Sequence, residues 1–125
     1  MEFIHAPKAR ASVGPYSHCV KAGSTYYLCG QVPFHPVTGE VVGNGMKEQA
    51  VQTLANMKAV LEAAGLAVTD IAKTTVFVTN MDDFAAFNEV YAAFMGEHRP
   101  ARVCVEVSNI AHGCLLEMDA ICFKE

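Results

Sequence analysis

The chain has 125 residues, 52% of them hydrophobic, and its 9 Lys and Arg face 13 Asp and Glu for a net charge of −4. That length allows one domain, residues 1–125, with a single core, and that apolar content excludes a disordered chain. The acidic balance argues against a nucleic-acid partner, because phosphate binding is normally met by an excess of Lys and Arg.

The opening residues, Met1 to Ala11, hold charges and no apolar run, and no stretch approaches the roughly 20 apolar residues of a membrane span. The expectation is a cytoplasmic protein without membrane contact. Five cysteines, Cys19, Cys29, Cys104, Cys114 and Cys122, are odd in number and widely spaced. No Cys-x-x-Cys and no His pair at zinc spacing occurs, so reduced thiols packed as small hydrophobes are expected, and no metal.

In chain order, Glu2 to His5 and His18 to Lys21 read as short strands. Between them Gly14-Pro15-Tyr16-Ser17 fixes the backbone around Tyr16. It is either a device that holds the phenol or an ordinary turn with a packing tyrosine. Thr25 to Cys29, aromatic and bounded by glycines, reads as a strand. Cys29-Gly30-Gln31 ends it, and a glycine there admits a ligand close to the backbone. No phosphate loop or nucleophile elbow follows. Ala50, Leu54, Met57, Leu61 and Ala64 then recur at steps of four and three, one stripe of a helix, with Asn44 as its expected N-cap and Gly65 as its stop.

Lys73 to Thr79 is rich in β-branched residues and reads as a strand. Phe84, Phe87, Tyr91 and Phe94 mark a second helix, with Asp82 and Asp83 placed in its first turn and Gly96 ending it. Ala101 to Val107 and Leu115 to Cys122 alternate as strands. The sum is an α+β fold, one sheet with two helices packed on one face. Two helices leave the other face of the sheet bare. Yet Val76 and Val78 oppose Phe77, and Tyr26 and Leu28 oppose Tyr27 and Cys29. A monomer would leave an apolar patch in water, which self-association removes.

The stretch Ala101 to Val107 also carries chemistry. A period of two sets Arg102, Cys104 and Glu106 against Val103, Val105 and Val107. An arginine on such a strand needs a partner. It is either a structural salt bridge, to Glu106 or Glu117, or a fork for a ligand carboxylate. Glu117, among Leu115 and Ile121 with Asp119 beside it, is either an interface ion pair or a base that orients water. Cys104 has no His placed as its base, which counts against thiol catalysis.

Gly14-Pro15-Tyr16-Ser17, Gly30-Gln31-Val32-Pro33, Thr38-Gly39-Glu40 and the Gln49 to Gly65 helix with Asn56 stand in a fixed order. They continue into Lys73-Thr74-Thr75-Val76-Phe77, Met81-Asp82-Asp83-Phe84, Asn88-Glu89-Val90-Tyr91, Pro100-Ala101-Arg102 and Glu117-Met118-Asp119-Ala120-Ile121. Together, over essentially the whole chain, they resemble the RidA (YjgF) family. The resemblance implies a chorismate-mutase-like fold with one mixed sheet, a homotrimer with sites at subunit interfaces, and hydrolysis of 2-imino acids such as 2-iminopropanoate and 2-iminobutanoate to 2-keto acids and ammonia without cofactor or metal. It implies that Arg102 holds the substrate carboxylate, that Glu117 positions water, and that Tyr16, Gly30, Asn88 and Cys104 line the pocket. Three departures from the family pattern are Cys29 in place of serine, Asn109-Ile110-Ala111 in place of a Leu-Pro ending, and Arg99 before Pro100. The competing readings are a stress-induced holdase or small-ligand-binding protein and an endoribonuclease-type translation inhibitor.

Overall fold

A computed structural model describes residues 1–10 and 14–125. Three strands open the fold: β1 (Glu2–Ile4), β2 (Cys19–Ala22) and β3 (Thr25–Gln31). Helix α1 (Met46–Ala63) follows, then β4 (Ile71–Val78), α2 (Phe84–Met95), β5 (Ala101–Glu106) and β6 (Leu116–Phe123). This is the expected element order. The strands form one sheet in the order β1-β2-β3-β6-β4-β5. All neighbours are antiparallel except β4 and β5, which run parallel and are joined across the sheet by α2.

Both helices lie on one face. Tyr26 and Leu28 of β3, Val76 and Val78 of β4, and Leu116, Met118 and Ala120 of β6 meet Ala50, Leu54, Met57 and Leu61 of α1 and Phe87 and Tyr91 of α2 in one buried core. The opposite face is bare. Phe3, Val20, Tyr27 and Ile121 form a row across four strands, and Glu117, Phe77 and Val105 form another across three. Phe3 is 63% exposed and Tyr27 49%. The apolar patch expected from alternation is present in the single chain.

Two helix ends differ from expectation. Helix α1 starts from Gly45, not Asn44, and no side-chain oxygen caps it. Its first turn is tied instead through Gln49, which donates to the Gly43 carbonyl at 3.1 Å and accepts the Leu115 N–H at 2.8 Å. Asp82 and Asp83 lie in a separate 3-10 turn, Met81–Asp83, ahead of α2. The Asn80 side chain accepts the Asp82 N–H at 2.9 Å and starts that turn early. The α1 stop is as expected: Gly65 takes φ 73°, and the Leu66 N–H reaches back to the Leu61 carbonyl at 2.8 Å.

The segment after β3 has no partner strand of its own beyond a bridge from Phe34 to Val41. Asn56 of α1 holds it. Its amide donates to the Val32 and Phe34 carbonyls at 2.8 and 2.9 Å and accepts from Gln52 at 2.8 Å. Replacing Asn56 with Leu removes both bonds, leaving the Phe34 carbonyl without a donor and the Val32 carbonyl with the Phe34 N–H alone. Urea unfolding is expected to show a loss of about 2 kcal/mol, the cost of unmade bonds at a partly buried site.

Candidate functional site

Arg102 enters at the start of β5, beside Thr74 of β4. Thr74 is fully buried and its hydroxyl pairs with the Tyr91 hydroxyl of α2 at 2.8 Å. Laterally paired residues share a face, so Arg102 points to the helix side. Its Nη1 donates to Asn88 Oδ1 at 2.7 Å. The guanidinium lies 4.8 Å from the Tyr91 ring centre and 5.1 Å from that of Phe84, both cation–π distances. Among the described residues no acid balances it. The ion pair found among the described residues joins Lys47 and Glu89 on the surface, and Glu106 is engaged by the Met81 N–H at 2.8 Å. The structural salt bridge to Glu106 or Glu117 is therefore absent within the chain. The rest of the fork faces a cleft of about 410 Å³ lined by Asn88, Tyr91, Ala92, Arg99 and Pro100.

Cys104 lies two residues further along the same side and packs against the core. Burial pushes its thiol up, and the Arg102 charge opposes this with a smaller pull down. A protonated thiol is a poor nucleophile, so Cys104 contributes shape and backbone. Arg99 does not extend into the cleft as a free cation: it donates to the Gly96 and His98 carbonyls at the end of α2.

Glu117 lies on the other face. It pairs laterally with Phe77, in the bare row. Its carboxyl is pushed above the usual carboxylate range, first by burial and then by the charge of Asp119 two residues on. Gly30 makes room for it: a Cβ at that position would lie 2.5 Å from Glu117 Oε2. The pairing of β3 with β6 slips between Leu28 and Gln31, and this irregularity brings the glycine under the carboxylate. Cys29, noted as a departure from the serine of the family pattern, has its thiol raised mainly by burial and further by Glu117. Its Sγ accepts from the Gln31 amide at 3.1 Å.

Tyr16 and Gly30 line one small cavity of about 70 Å³ together with Arg10, His18, Cys29 and Phe34. The Tyr16 N–H closes a three-residue turn on the Gly14 carbonyl at 2.9 Å. The phenol is 49% exposed. The residues Asn109, Ile110 and Ala111 border Glu117 in a separate shallow cleft with Phe77 and Val107.

The candidate residues thus fall into two sets. Arg102, Asn88 and Cys104 sit at the β5 edge on the helix side. Glu117 of β6 and Gly30 of β3 sit at the middle of the sheet on or near the bare side, with Tyr16, on the loop before β2, lining the same cavity as Gly30. Register places Arg102 three residues along and two strands across from Glu117. At about 3.3 Å per residue and about 4.8 Å per strand, their Cα atoms are roughly 14 Å apart with side chains on opposite faces. Sequence reading did not place Arg10, His18 or Asn56 in the lining of the cavity beside Gly30. The first two lie in segments with no period, and Asn56 sits on a polar helix face without a motif of its own.

Six strands in one mixed sheet, two helices on one side and a split arginine–glutamate constellation define the class of protein. The family model described as "Endoribonuclease L-PSP" matches residues 4–124. A RutC family protein of Pyrococcus horikoshii is 48% identical over 124 residues, covering 99% of this chain and 98% of that protein. The 2-iminobutanoate/2-iminopropanoate deaminase of Escherichia coli is 45% identical over 124 residues, with 97% and 96% covered. The crystal structure of E. coli TdcF with bound serine superposes with a TM-score of 0.94 at 41% identity, covering all of both chains. The chain belongs to the RidA (YjgF) family.

The raised Glu117 carboxyl has a measurable sign. A group whose folded pKa exceeds its unfolded value favours the fold when protonated. That contribution is complete below the unfolded pKa and is lost as pH rises through the folded one. Glu117→Gln is therefore expected to raise the melting temperature at neutral pH, with the difference vanishing at low pH. Asp119→Asn removes one cause of the shift, and carboxyl NMR should show Glu117 titrating at lower pH than in the parent.

Proposed function

We propose that the protein hydrolyses small 2-imino acids, 2-iminopropanoate and 2-iminobutanoate among them, to 2-keto acids and ammonia. The observation that carries this reading is Arg102: a guanidinium oriented by Asn88, Tyr91 and Phe84 with no carboxylate of its own. A planar fork held in this way matches a ligand carboxylate through two parallel bonds. The E. coli relative named as a deaminase of these imines, and the relative crystallised with serine, an amino acid carrying that carboxylate, support it.

The chemistry asks little of the protein. The imine carbon is already electrophilic. With its carboxylate on Arg102, the C=N carbon is presented to a water held by the Glu117 carboxylate, which takes a proton as the C–O bond forms. That proton passes to nitrogen to give the carbinolamine; its hydroxyl proton then also moves to nitrogen as the carbonyl forms, the C–N bond breaks and ammonia leaves. Positioning and general base help account for the acceleration. Arg102 and Glu117 are too far apart in one chain to share a small substrate, so the site is proposed to form between copies, the Arg102 edge of one against the Glu117 side of the next. The two bare rows, with Phe3 and Tyr27 in one and Phe77 and Val105 in the other, supply the apolar surface for a homotrimer. Against the endoribonuclease reading carried by the family description stands the net charge of −4, which disfavours a polyphosphate strand.

The test is semicarbazide trapping of imines generated by threonine dehydratase or an amino-acid oxidase. Added protein is expected to lower semicarbazone yield. Arg102→Ala should cut kcat/KM about a hundredfold or more, and Arg102→Lys should recover little. Glu117→Gln should lower kcat while leaving pyruvate binding intact. An unchanged yield at micromolar protein overturns the proposal. Light scattering should give three chains per particle, and a stable monomer removes the shared site.

A further inference from the structure

The cavity beside Gly30 holds a second arginine that imine hydrolysis of small substrates does not use. Arg10 lies on the segment between β1 and β2. Its guanidinium sits 5.1 Å from the Phe34 ring centre, and Nη1 donates one bond, to the Gly39 carbonyl at 3.2 Å. No acid pairs with it among the described residues. Two features build this position. Gly39 has φ 74°, and a Cβ there would lie 2.6 Å from the guanidinium carbon, so the glycine leaves space for the arginine. The backbone of Arg10 is clamped as well. His18, 5% exposed, donates from Nε2 to the Arg10 carbonyl at 2.8 Å while its Nδ1 accepts the Ala6 N–H at 2.8 Å. Both ring nitrogens are used to hold the strap that carries Arg10.

We infer that Arg10 is a specificity-determining residue, and that the protein accepts 2-imino acids bearing a second carboxylate, such as the imine of aspartate, with that carboxylate directed at Arg10. The inference rests on the imine-hydrolysis reading and extends it. Tyr16, Gly30 and Arg10 line the same cavity. Gly30 lines this cavity and also lies against the Glu117 carboxyl, so a substrate attacked beside Glu117 and Gly30 has its side chain within reach of the cavity. A volume of about 70 Å³ admits a carboxymethyl group. Most donors of the Arg10 fork remain for an incoming anion, and an apolar side chain would leave them unanswered, which costs affinity for the charged partner. The reaction is unchanged: water adds to C=N, ammonia leaves, and a dicarboxylic 2-keto acid forms.

The experiment compares two imines made in situ, one from aspartate by a flavin-dependent oxidase and one from alanine, each trapped with semicarbazide. The wild-type protein is expected to accelerate loss of both. Arg10→Gln should lower kcat/KM for the aspartate imine about tenfold or more and leave the alanine imine within about twofold. Arg10→Lys, which keeps the charge, should fall between. A merely structural arginine moves both substrates together, so an unchanged ratio in Arg10→Gln and Arg10→Lys overturns the inference. So does wild-type protein that turns over the alanine imine and not the aspartate imine. Wild-type protein that turns over neither overturns the deaminase reading itself, a distinguishable result.

Discussion

One constraint orders the whole molecule: two helices cover one face of a six-stranded sheet and leave the other bare. Because side chains alternate along every strand, this divides each strand into a helix-facing set and a bare set. The helix-facing set closes a core around Met57, Val76, Phe87 and Met118. The bare set carries Phe3, Tyr27, Phe77 and Val105 together with Glu117. Arg102 falls in the first set and Glu117 in the second. The same division that builds the core thus separates the two charged groups with a chemical claim on a substrate.

Each charged group is prepared by its local surroundings. Thr74, Tyr91, Arg102 and Asn88 form a continuous chain of contacts from β4 through α2 to the sheet edge. The aromatic rings fix the plane of the guanidinium, and Asn88 takes one donor and leaves the others directed outward. Glu117 is prepared differently. Burial and Asp119 make its charged form less favourable, and Gly30 removes the one side chain that would push it away. A carboxylate held above its ordinary range is a stronger base at neutral pH than an exposed one. The cation is fixed by packing and the anion by vacancy.

Much of this was legible in the sequence, and the reasons for the rest are physical. Alternation in Ala101 to Val107 grouped Arg102 with Cys104 and apart from Val103, and the structure keeps that grouping. The helical stripe through Ala50, Leu54, Met57 and Leu61 identified the core face of α1. Alternation gives parity within a strand, but not which parity of one strand matches that of another. A salt bridge from Arg102 to Glu117 therefore remained open until register placed them on opposite faces. The Asn80 cap moved Asp82 and Asp83 out of α2 because a side-chain oxygen competes with the helix for backbone donors. Arg10 and His18 carried no signal, since loop residues acquire neighbours only through the tertiary fold. His18 contacts the Arg10 carbonyl and the Ala6 amide, groups that every sequence possesses.

The placement of Arg102 and Glu117 on opposite sides of one chain has a genetic consequence for the proposed assembly. If each site takes its arginine from one copy and its glutamate from the next, the two lesions damage different halves of a shared site. A chain lacking Arg102 still offers an intact glutamate to its neighbour, and a chain lacking Glu117 still offers an intact arginine. Co-expressed, two individually dead alleles would meet at some interfaces with both halves sound. Activity would then return through subunit mixing alone, as intragenic complementation, while a chain carrying both lesions would poison every site that it joins.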